Sequence, residues 1–144
     1  MTWILLAHAM ATFFMVGLIW FVQLVHYPLL KRVGKRDFPQ YEAAHCRLTT
    51  WVVGPPMLVE AATAPILFWY SPFAATTWML RMGMALLLVI WLSTALLQVP
   101  RHRDLGLSFQ SAAHRRLVAT NWVRTVAWSL RGVIAVMVLA ESMK

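Results

Sequence analysis

The amino-acid sequence predicts an all-α fold: a single polytopic membrane domain, residues 1–144, in which four transmembrane helices form a bundle. The first observation is composition, since 60% of the 144 residues are hydrophobic and eight tryptophans accompany only five acidic side chains, more apolar than an ordinary soluble domain. The second is length. Four stretches can cross a hydrocarbon layer of about 30 Å, and backbone groups in lipid must be satisfied internally, which requires helices. They are residues 2–30, 48–70, 78–99 and 117–140.

The basic residues, which give the chain a net charge of +8, are concentrated in the first and third connections between these helices. Since they do not line a face that could follow phosphates, we expect no nucleic-acid partner. The middle connection, residues 71–77, carries no charge. The positive-inside bias therefore predicts a multi-pass protein of the inner (cytoplasmic) membrane, with both basic connections in the cytoplasm and both termini outside.

One short sequence motif occurs twice in the chain. AAHCRLTTWV, residues 43–52, returns as AAHRRLVATNWV, residues 112–123, in the corresponding basic connection. The echo predicts a duplicated helix-loop-helix unit with halves of approximately 1–71 and 72–144, related by an axis along the membrane normal. The alternative is that interfacial segments converge on arginine and tryptophan because every membrane boundary favours them.

Two residues of opposite charge are expected to pair inside the membrane. Glu60 and Arg131 each lie nine residues beyond the matching tryptophans Trp51 and Trp122, and so at the same depth under the repeat. Either would cost roughly 2.5–3.5 kcal/mol near a helix centre if it faced lipid, which favours a mutual pair in the bundle interior. Arg124 is an alternative partner for Glu60, and the sequence does not choose between the two arginines. A pair that only fixes helix packing fits the pattern equally well.

The fourth predicted helix carries a polar stripe. Asn121, Arg124, Trp128 and Arg131 follow one another at spacings of 3, 4 and 3 residues, which confines them to one arc and predicts that they face the bundle interior. Three prolines between residues 55 and 65 would free backbone carbonyls beside the acidic residue of the second helix. We therefore expect a pocket there.

The first predicted helix has a matching polar seam. His8, Thr12, Gln23 and His26 fall within an arc of about 60°, polar at both ends and apolar in the middle. Gln23 and His26 are expected to contact a ligand at the cytoplasmic end. His8 lies near the opposite membrane face, where the sequence offers no second histidine, and is expected to be a hydrogen-bonded interfacial residue.

Four of the five histidines fall in or beside the two basic connections: His26, His45, His102 and His114. Glu42 and His45 have the i, i+3 spacing of carboxylate-bridged di-iron bundles, but the second connection lacks the matching carboxylate, which leaves a single metal ion or a haem. The predicted metal ligands are His45, His114 and Glu42. Alternatively the histidines cap helices and contact lipid headgroups, which we favour for His102 because its arginine neighbours repel a cation. The only cysteine, Cys46, is expected to be inert.

Short motifs carry a resemblance to known families. The segments VHYP, AAHCRL, GPPMLVEA and TNWVRT resemble those of small bacterial four-helix inner-membrane proteins of uncharacterised function. Asn121 and Arg124, on either side of Trp122, are similar to the asparagine and arginine pattern of the anthrone-oxygenase-like family. In size and architecture the chain is also similar to the four-helix protoporphyrinogen oxidase family, a likeness that implies haem binding by His8.

Together these features predict a buried polar site for a lipophilic aromatic, quinone-like or haem-type ligand that enters from the bilayer. The residues predicted to contact the ligand are Asn121, Trp128, His26 and Gln23. If the protein is an enzyme, we expect an oxidoreductase in which Arg124 or Arg131 stabilises an oxyanion while Glu60 or a nearby histidine moves the proton. Two other classes stay open: an accessory subunit of a larger membrane complex or homo-oligomer, and a small transporter.

Overall fold

The structure, a computed structural model, describes residues 1–70 and 77–144, and every regular element within them is helical. Four long helices follow one another: α1, Thr2–Leu30; α2, Phe38–Tyr70; α3, Thr77–Leu107; and α4, Ser111–Ser142. Each is long and apolar enough to cross a membrane. The predicted all-α, four-helix fold is confirmed. The predicted uncharged connection lies, except for its last residue, outside the described part of the chain.

Three of the helices extend beyond the apolar stretches that predicted them. α2 begins at Phe38, well before the stretch at 48–70. Its added turns pack inward, since Phe38 and Leu105 of α3 are both fully buried in one apolar cluster, and tertiary packing of this kind stabilises a helix beyond its membrane-crossing part. The basic connections shrink accordingly to residues 31–37 and 108–110. Glu42, His45, His102 and His114, expected in or beside loops, are therefore held on helices, whereas the basic residues of 31–37 stay in the connection.

α1 and α3 each contain one π-helical turn, at Val22–His26 and Thr94–Gln98. In both helices a proline stands two residues further on, Pro28 in α1 and Pro100 in α3. A proline has no N–H to donate and clashes with the carbonyl four residues before it, so the backbone widens in the turn that precedes it. The two turns occupy corresponding places in the two predicted halves, while the duplication itself stays a prediction.

The four helices form a ring in which α1 and α3 each pack against both α2 and α4. Three clusters of buried apolar side chains fill the interior. One surrounds Leu5 near the N-terminal end of α1, the next surrounds Met15 and Trp128 in the middle, and the last surrounds Tyr27 and Leu117 at the end that carries the basic connections. The polar residues described below lie between these clusters, so their positions are fixed by apolar packing on both sides.

The outer surface of the bundle is covered by large apolar side chains. Trp3, Trp51 and Trp69 are 83%, 76% and 75% exposed. A soluble monomer rarely shows an apolar surface of this extent, whereas aliphatic side chains facing acyl chains and tryptophans at headgroup level are typical of membrane proteins. The exterior is therefore compatible with a multi-pass membrane protein, in agreement with the composition.

Candidate functional site

The acidic residue of the second helix forms a closed ion pair in the middle of the bundle. Glu60 is 0% exposed and pairs with Arg131, whose Nη2 and Nε donate to Oε1 at 2.9 and 3.2 Å. Thr12 of α1 donates to the same oxygen at 2.7 Å, and the indole N–H of Trp128 donates to Oε2 at 2.9 Å. The structure thus selects Arg131 over Arg124 as the partner of Glu60.

The guanidinium of Arg131 is satisfied on its other side as well. Its Nη1 donates to the carbonyl of Gly83 on α3, and its Nη2 lies 3.3 Å from Nε2 of His8. Nδ1 of His8 is hydrogen-bonded to the Thr63 hydroxyl at 2.7 Å. Both nitrogens of His8 are therefore engaged within the protein, and haem ligation by His8 would require one of these bonds to break.

Little space adjoins this network. The cavity beside His8 and Arg131 has a volume of about 30 Å³, which has room for about two water molecules. The three prolines of α2 lie inside an unbroken helix, and the pocket expected beside them has this small size. A charge pair whose partners are all satisfied is the arrangement expected of a structural link between α1, α2, α3 and α4.

A much larger cavity lies toward the end of the bundle that carries the basic connections. Its volume is about 440 Å³, and we call it the polar cavity. Its apolar wall includes Met15, Leu18, Ile19, Val22 and Val53. Its polar wall includes Tyr27, Glu42, His45, Cys46, Thr49, Gln98, His102 and Arg124. The same cavity thus has an apolar wall and a wall of hydrogen-bonding and ionisable groups.

Helix periodicity explains how these side chains reach one wall. Glu42, His45, Cys46 and Thr49 stand at i, i+3, i+4 and i+7 on α2, which places them on one face. α3 contributes Gln98, within its π-helical turn, and His102, one turn later, while α1 and α4 contribute one polar residue each. All four helices must therefore be in place for the polar wall to exist.

The carboxylate of Glu42 is the centre of a hydrogen-bonded group on this wall. Its Oε1 accepts from Nδ1 of His102 at 2.5 Å and from the thiol of Cys46 at 3.6 Å. The other ring nitrogen of His102, Nε2, is hydrogen-bonded to the Tyr27 hydroxyl at 2.9 Å. An acid, a thiol and an imidazole from two helices are thus in direct contact.

Two further imidazoles stack beside this group. The rings of His26 and His45 lie 4.4 Å apart, and their Nε2 and Nδ1 atoms are hydrogen-bonded at 3.0 Å. The hydroxyl of Thr49 approaches the same Nδ1 of His45 at 3.1 Å. The His45 ring lies 5.4 Å from that of His102. The three histidines therefore form a continuous series along the cavity and its edge.

Arg124 supplies the buried positive charge of the polar cavity, whose lining also includes the exposed Arg103. It is 7% exposed, and its guanidinium lies over the ring of Trp128 at 5.2 Å from the ring centroid. None of the carboxylates in the described chain forms an ion pair with it. Among residues 1–70 and 77–144, its Nε has no hydrogen-bond partner. Trp128 separates the two arginines of the stripe, because its N–H faces Glu60 and its ring faces Arg124.

Two more polar atoms of the cavity wall are buried without a partner, Oε1 of Gln98 and Oε2 of Glu42. A buried polar group left unsatisfied costs about 1–3 kcal/mol, and such groups call for an explanation in a native structure. Together with Nε of Arg124 they provide one donor and two acceptors along the same cavity.

Asn121 and Gln23, both predicted to contact the ligand, instead join α1 to α4. The amide of Asn121 donates to Oε1 of Gln23 at 2.8 Å, and the amide of Gln23 donates to the Val118 carbonyl at 3.2 Å. Neither residue lines the polar cavity. The predicted seam of α1 and stripe of α4 do face each other, but these two residues are used for packing.

His26 lines a side groove rather than the polar cavity itself. The groove, about 190 Å³, lies between α1 and α2 and shares His45 and Thr49 with the polar cavity. Its other walls include Phe21 and Leu48, which are exposed on the outer surface of the bundle. The groove therefore lies between the apolar outer surface and the histidine side of the cavity.

The structure places the predicted metal ligands at two separate sites, and it does the same with the predicted catalytic residues. His114 does not join Glu42 and His45, because its Nε2 donates to the backbone carbonyl of Tyr27 at 2.7 Å. His102, expected at the headgroups, joins them instead, and that expectation is wrong. Of the predicted catalytic residues, the ion-paired acid and arginine lie in the closed network, and only Arg124 reaches the polar cavity.

Several residues of the cavity wall escaped the sequence interpretation. Cys46, expected to be inert, stands four residues after Glu42, a helical spacing that predicts contact. Gln98 ends one π-helical turn and Tyr27 directly follows the other, and such turns often accompany functional sites. The apolar stretches do not predict that α2 and α3 continue beyond them, and this continuation is what brings Cys46 and His102 to the cavity wall.

No family model matches the chain, and no curated protein and no solved structure shows significant similarity to it. The resemblances to the anthrone-oxygenase-like and protoporphyrinogen oxidase families therefore stay predictions, as does haem binding by His8. What the protein does has to be inferred from the chemistry of its own side chains and from the cavity that they surround.

Proposed function

We propose that the protein is a multi-pass inner-membrane protein that binds a lipophilic aromatic molecule with oxygen substituents, of the quinone or quinol type, in the polar cavity. The observation that carries the proposal is that three partnerless buried atoms, on Arg124, Gln98 and Glu42, belong to residues of one cavity wall. The volume of about 440 Å³ is that of a small-molecule site, which occupies about 300–1,000 Å³.

The donors and acceptors favour this ligand class. The guanidinium of Arg124, which pairs with no carboxylate, would donate to a carbonyl or phenolate oxygen and stabilise negative charge on it. The free acceptors on Gln98 and Glu42 would take a hydroxyl hydrogen, as a quinol carries. The apolar wall around Met15 and Ile19 would bury the ring. A purely aliphatic ligand would leave all three polar atoms unsatisfied.

The side groove supplies a route from the bilayer. It opens between α1 and α2 among exposed apolar residues, Phe21, Leu48 and Val52, and leads to His45 at the edge of the polar cavity. A ligand dissolved in the membrane would enter there without crossing water, its tail resting in the groove. This favours a lipophilic molecule over a water-soluble metabolite.

The same geometry supports acid–base chemistry on a bound phenolic group. A ligand hydroxyl near His45 would pass its proton to the imidazole, and the oxyanion left behind would be stabilised by Arg124. Arg131 and Glu60 would take no part, because their hydrogen bonds are closed within the bundle. This is the step of the predicted oxidoreductase chemistry that the chain's own side chains would perform.

The binding test uses the full chain in lipid nanodiscs with decylubiquinone as the probe, measured by equilibrium dialysis. We expect saturable binding at one site. Arg124→Gln should weaken it about 10–100-fold, since a hydrogen bond to a charged group contributes about 1.5–3 kcal/mol and 1.4 kcal/mol is tenfold. The matched control is Arg81→Gln, an exposed arginine of α3, which should bind as the unchanged protein does.

Three results would contradict the proposal: no saturable uptake of decylubiquinone, equal affinity in the Arg124→Gln variant, or equal weakening in the Arg81→Gln control. An absorption spectrum of the purified protein distinguishes quinone binding from haem binding. A Soret band would assign the cavity to haem rather than to a quinone. Its absence together with saturable, Arg124-dependent uptake is the result we expect.

We also propose the orientation that the charge pattern predicts, with both basic connections in the cytoplasm. The exposed residues Lys31, Arg32, Lys35 and Arg36 follow α1 at the end where the polar cavity lies, so the cavity would be near the cytoplasmic face. Lys35→Cys and Lys144→Cys variants in a Cys46→Ser background test this. An impermeant maleimide should label the variant at residue 144 in intact spheroplasts, whereas it should label the variant at residue 35 only after lysis. Labelling of residue 35 in intact spheroplasts, with residue 144 labelled only after lysis, would contradict the proposed orientation.

A further inference from the structure

A group of metal-binding side chains lies on the wall of the polar cavity. Glu42, Cys46 and His102 each offer one ligand atom, and these atoms all lie within 4.8 Å of one another. The group is held by two helices, with the acid and the thiol one turn apart on α2 and the imidazole on α3. Glu42 is 1% exposed, so the group is not a chance cluster of solvated surface residues.

The separations between these atoms approach those between the ligands of a bound ion. Around a tetrahedral ion with bonds of roughly 2.0–2.3 Å, neighbouring ligand atoms lie roughly 3.3–3.8 Å apart. Sγ of Cys46 lies 3.6 Å from Oε1 of Glu42. Nδ1 of His102 is closer to that oxygen, at 2.5 Å, because the two share a hydrogen bond. An ion would take the place of that proton and hold the two atoms slightly further apart.

Glu42 and His45 each have an atom that could bind a metal ion and that forms no hydrogen bond within the described chain. Oε2 of Glu42 is buried and has no partner, although a carboxylate in this position would ordinarily be fully hydrogen-bonded. His45, one turn before Thr49 on the same face of α2, bonds through Nδ1. Within the described chain its Nε2 has no hydrogen-bond partner. The His45 ring lies 5.4 Å from that of His102 and outside the group whose ligand atoms lie within 4.8 Å of one another. It would have to move toward that group to supply a fourth ligand.

The outer contacts also fit a metal site. Metal-bound histidines characteristically use their second nitrogen to bond an oxygen, which fixes the ring. Nε2 of His102 is bonded to the Tyr27 hydroxyl at 2.9 Å, and His45 is held through Nδ1 by Thr49 at 3.1 Å. The far side of the His102 ring is thus fixed by Tyr27, which leaves its Nδ1 for the ion. In His45 the nitrogen not used by His26 and Thr49 is Nε2.

The donor types and charges define the class of ion. A thiolate, one or two imidazoles and a carboxylate form the mixed S, N and O set that binds zinc and similar late first-row divalent ions, whereas Mg²⁺ and Ca²⁺ prefer oxygen alone. The thiolate of Cys46 and the carboxylate of Glu42 would balance a divalent charge. This balance lets the ion lie in a cavity that also contains Arg124.

We infer that Glu42, Cys46 and His102, with His45 as the fourth ligand, bind one divalent ion of the zinc class on the wall of the polar cavity. His114, a ligand in the sequence-based prediction, has no place in the site. The inference goes beyond the proposed function. The two sites share Glu42 and His45, but the quinone contacts assigned to Arg124 and Gln98 lie outside the ion's ligand set, so Arg124→Gln tests quinone binding alone.

The test is a titration of the full chain, purified in detergent and stripped with a chelator, using Co²⁺ as the probe. One equivalent should bind, with the charge-transfer absorption of a cobalt thiolate, and Zn²⁺ should displace it. Cys46→Ser should abolish that absorption. Tyr27→Phe, which removes only the outer contact to His102, should weaken Co²⁺ binding about 10–100-fold while keeping the thiolate absorption.

His114→Gln is the matched control, because its amide can still donate to the Tyr27 carbonyl, and it should bind Co²⁺ as the unchanged protein does. Far-UV circular dichroism of each stripped variant confirms folding. Binding without thiolate absorption, or undiminished affinity in folded Cys46→Ser, would overturn the inference, as would a loss confined to His114→Gln. Co²⁺ binding by Arg124→Gln should be normal, so failure of quinone binding and failure of metal binding are distinguishable.

Discussion

The buried ion pair makes the sharpest prediction about stability. Glu60 accepts hydrogen bonds from Thr12, from Trp128 and, twice, from Arg131. Glu60→Gln keeps the shape of the side chain but removes the charge that compensates Arg131, whose side chain is 2% exposed. Breaking a buried pair by neutralising one partner costs about 3–5 kcal/mol, a large part of the 5–15 kcal/mol that stabilises a typical domain.

The reverse substitution and the double variant test whether the cost comes from the pair. Arg131→Met should be destabilising to a similar degree, because Glu60 is then the unpaired charge. In the double variant neither position 60 nor position 131 carries a charge, and the amide introduced at position 60 can still accept from Trp128 and donate to the Thr12 hydroxyl. The double variant should therefore lose less stability than the two single variants added together, with a coupling energy of about 2–3 kcal/mol.

The assay is reversible unfolding in mixed micelles, followed by far-UV circular dichroism. Arg81→Met, at an exposed arginine of α3, is the control and should change stability by no more than about 0.5 kcal/mol. A loss below about 1 kcal/mol in Glu60→Gln, or strict additivity in the double variant, would refute the reasoning that the pair is a closed structural link.

Two further predictions concern helix packing and the tryptophan between the two polar regions. A Cβ added at Gly132 would lie 3.1 Å from Cγ2 of Val16, so Gly132→Leu should lower the unfolding free energy by about 1–3 kcal/mol. The control is Gly17→Leu, where nothing lies within 4 Å of the added Cβ, and it should change the unfolding free energy little. Equal losses in the two variants would contradict the close approach of α1 and α4. Trp128→Phe removes the donor to Glu60 and should lower the unfolding free energy by about 1.5–3 kcal/mol; a thermal melt indistinguishable from the unchanged protein would contradict the hydrogen bond.

The faces of α1 and α4 were predictable because helix periodicity fixes them. The seam of α1 and the stripe of α4 both face the interior of the bundle: Thr12 of α1 donates to Glu60 of α2, and Asn121 of α4 donates to Gln23 of α1. The cost of a charge in lipid likewise predicts an inward pair. Periodicity does not give the rotation of one helix against another at each depth, and for that reason the sequence left Arg124 and Arg131 as equal candidates.

The histidine cluster was predictable only in part, for two physical reasons. The apolar stretches mark where helices cross hydrocarbon, but α2 and α3 continue beyond it through packing of Phe38 and Leu105, so Glu42 and His102 gained fixed orientations that a loop would not have. The π-helical turn at Thr94–Gln98 adds a residue to one turn and rotates everything after it. The direction of His102 therefore could not be extrapolated from the preceding part of α3.

Photolabelling is the most direct test of the central claim that the working site is the polar cavity and not the ion pair. The full chain in nanodiscs would be labelled with an azido-quinone, with and without excess decylubiquinone, and the adducts mapped by mass spectrometry. We expect competed labelling on residues 42–53 of α2 and 98–106 of α3, which line the cavity on both sides. Competed labelling around Glu60 and Arg131 instead, or labelling that excess decylubiquinone does not reduce, would contradict the claim.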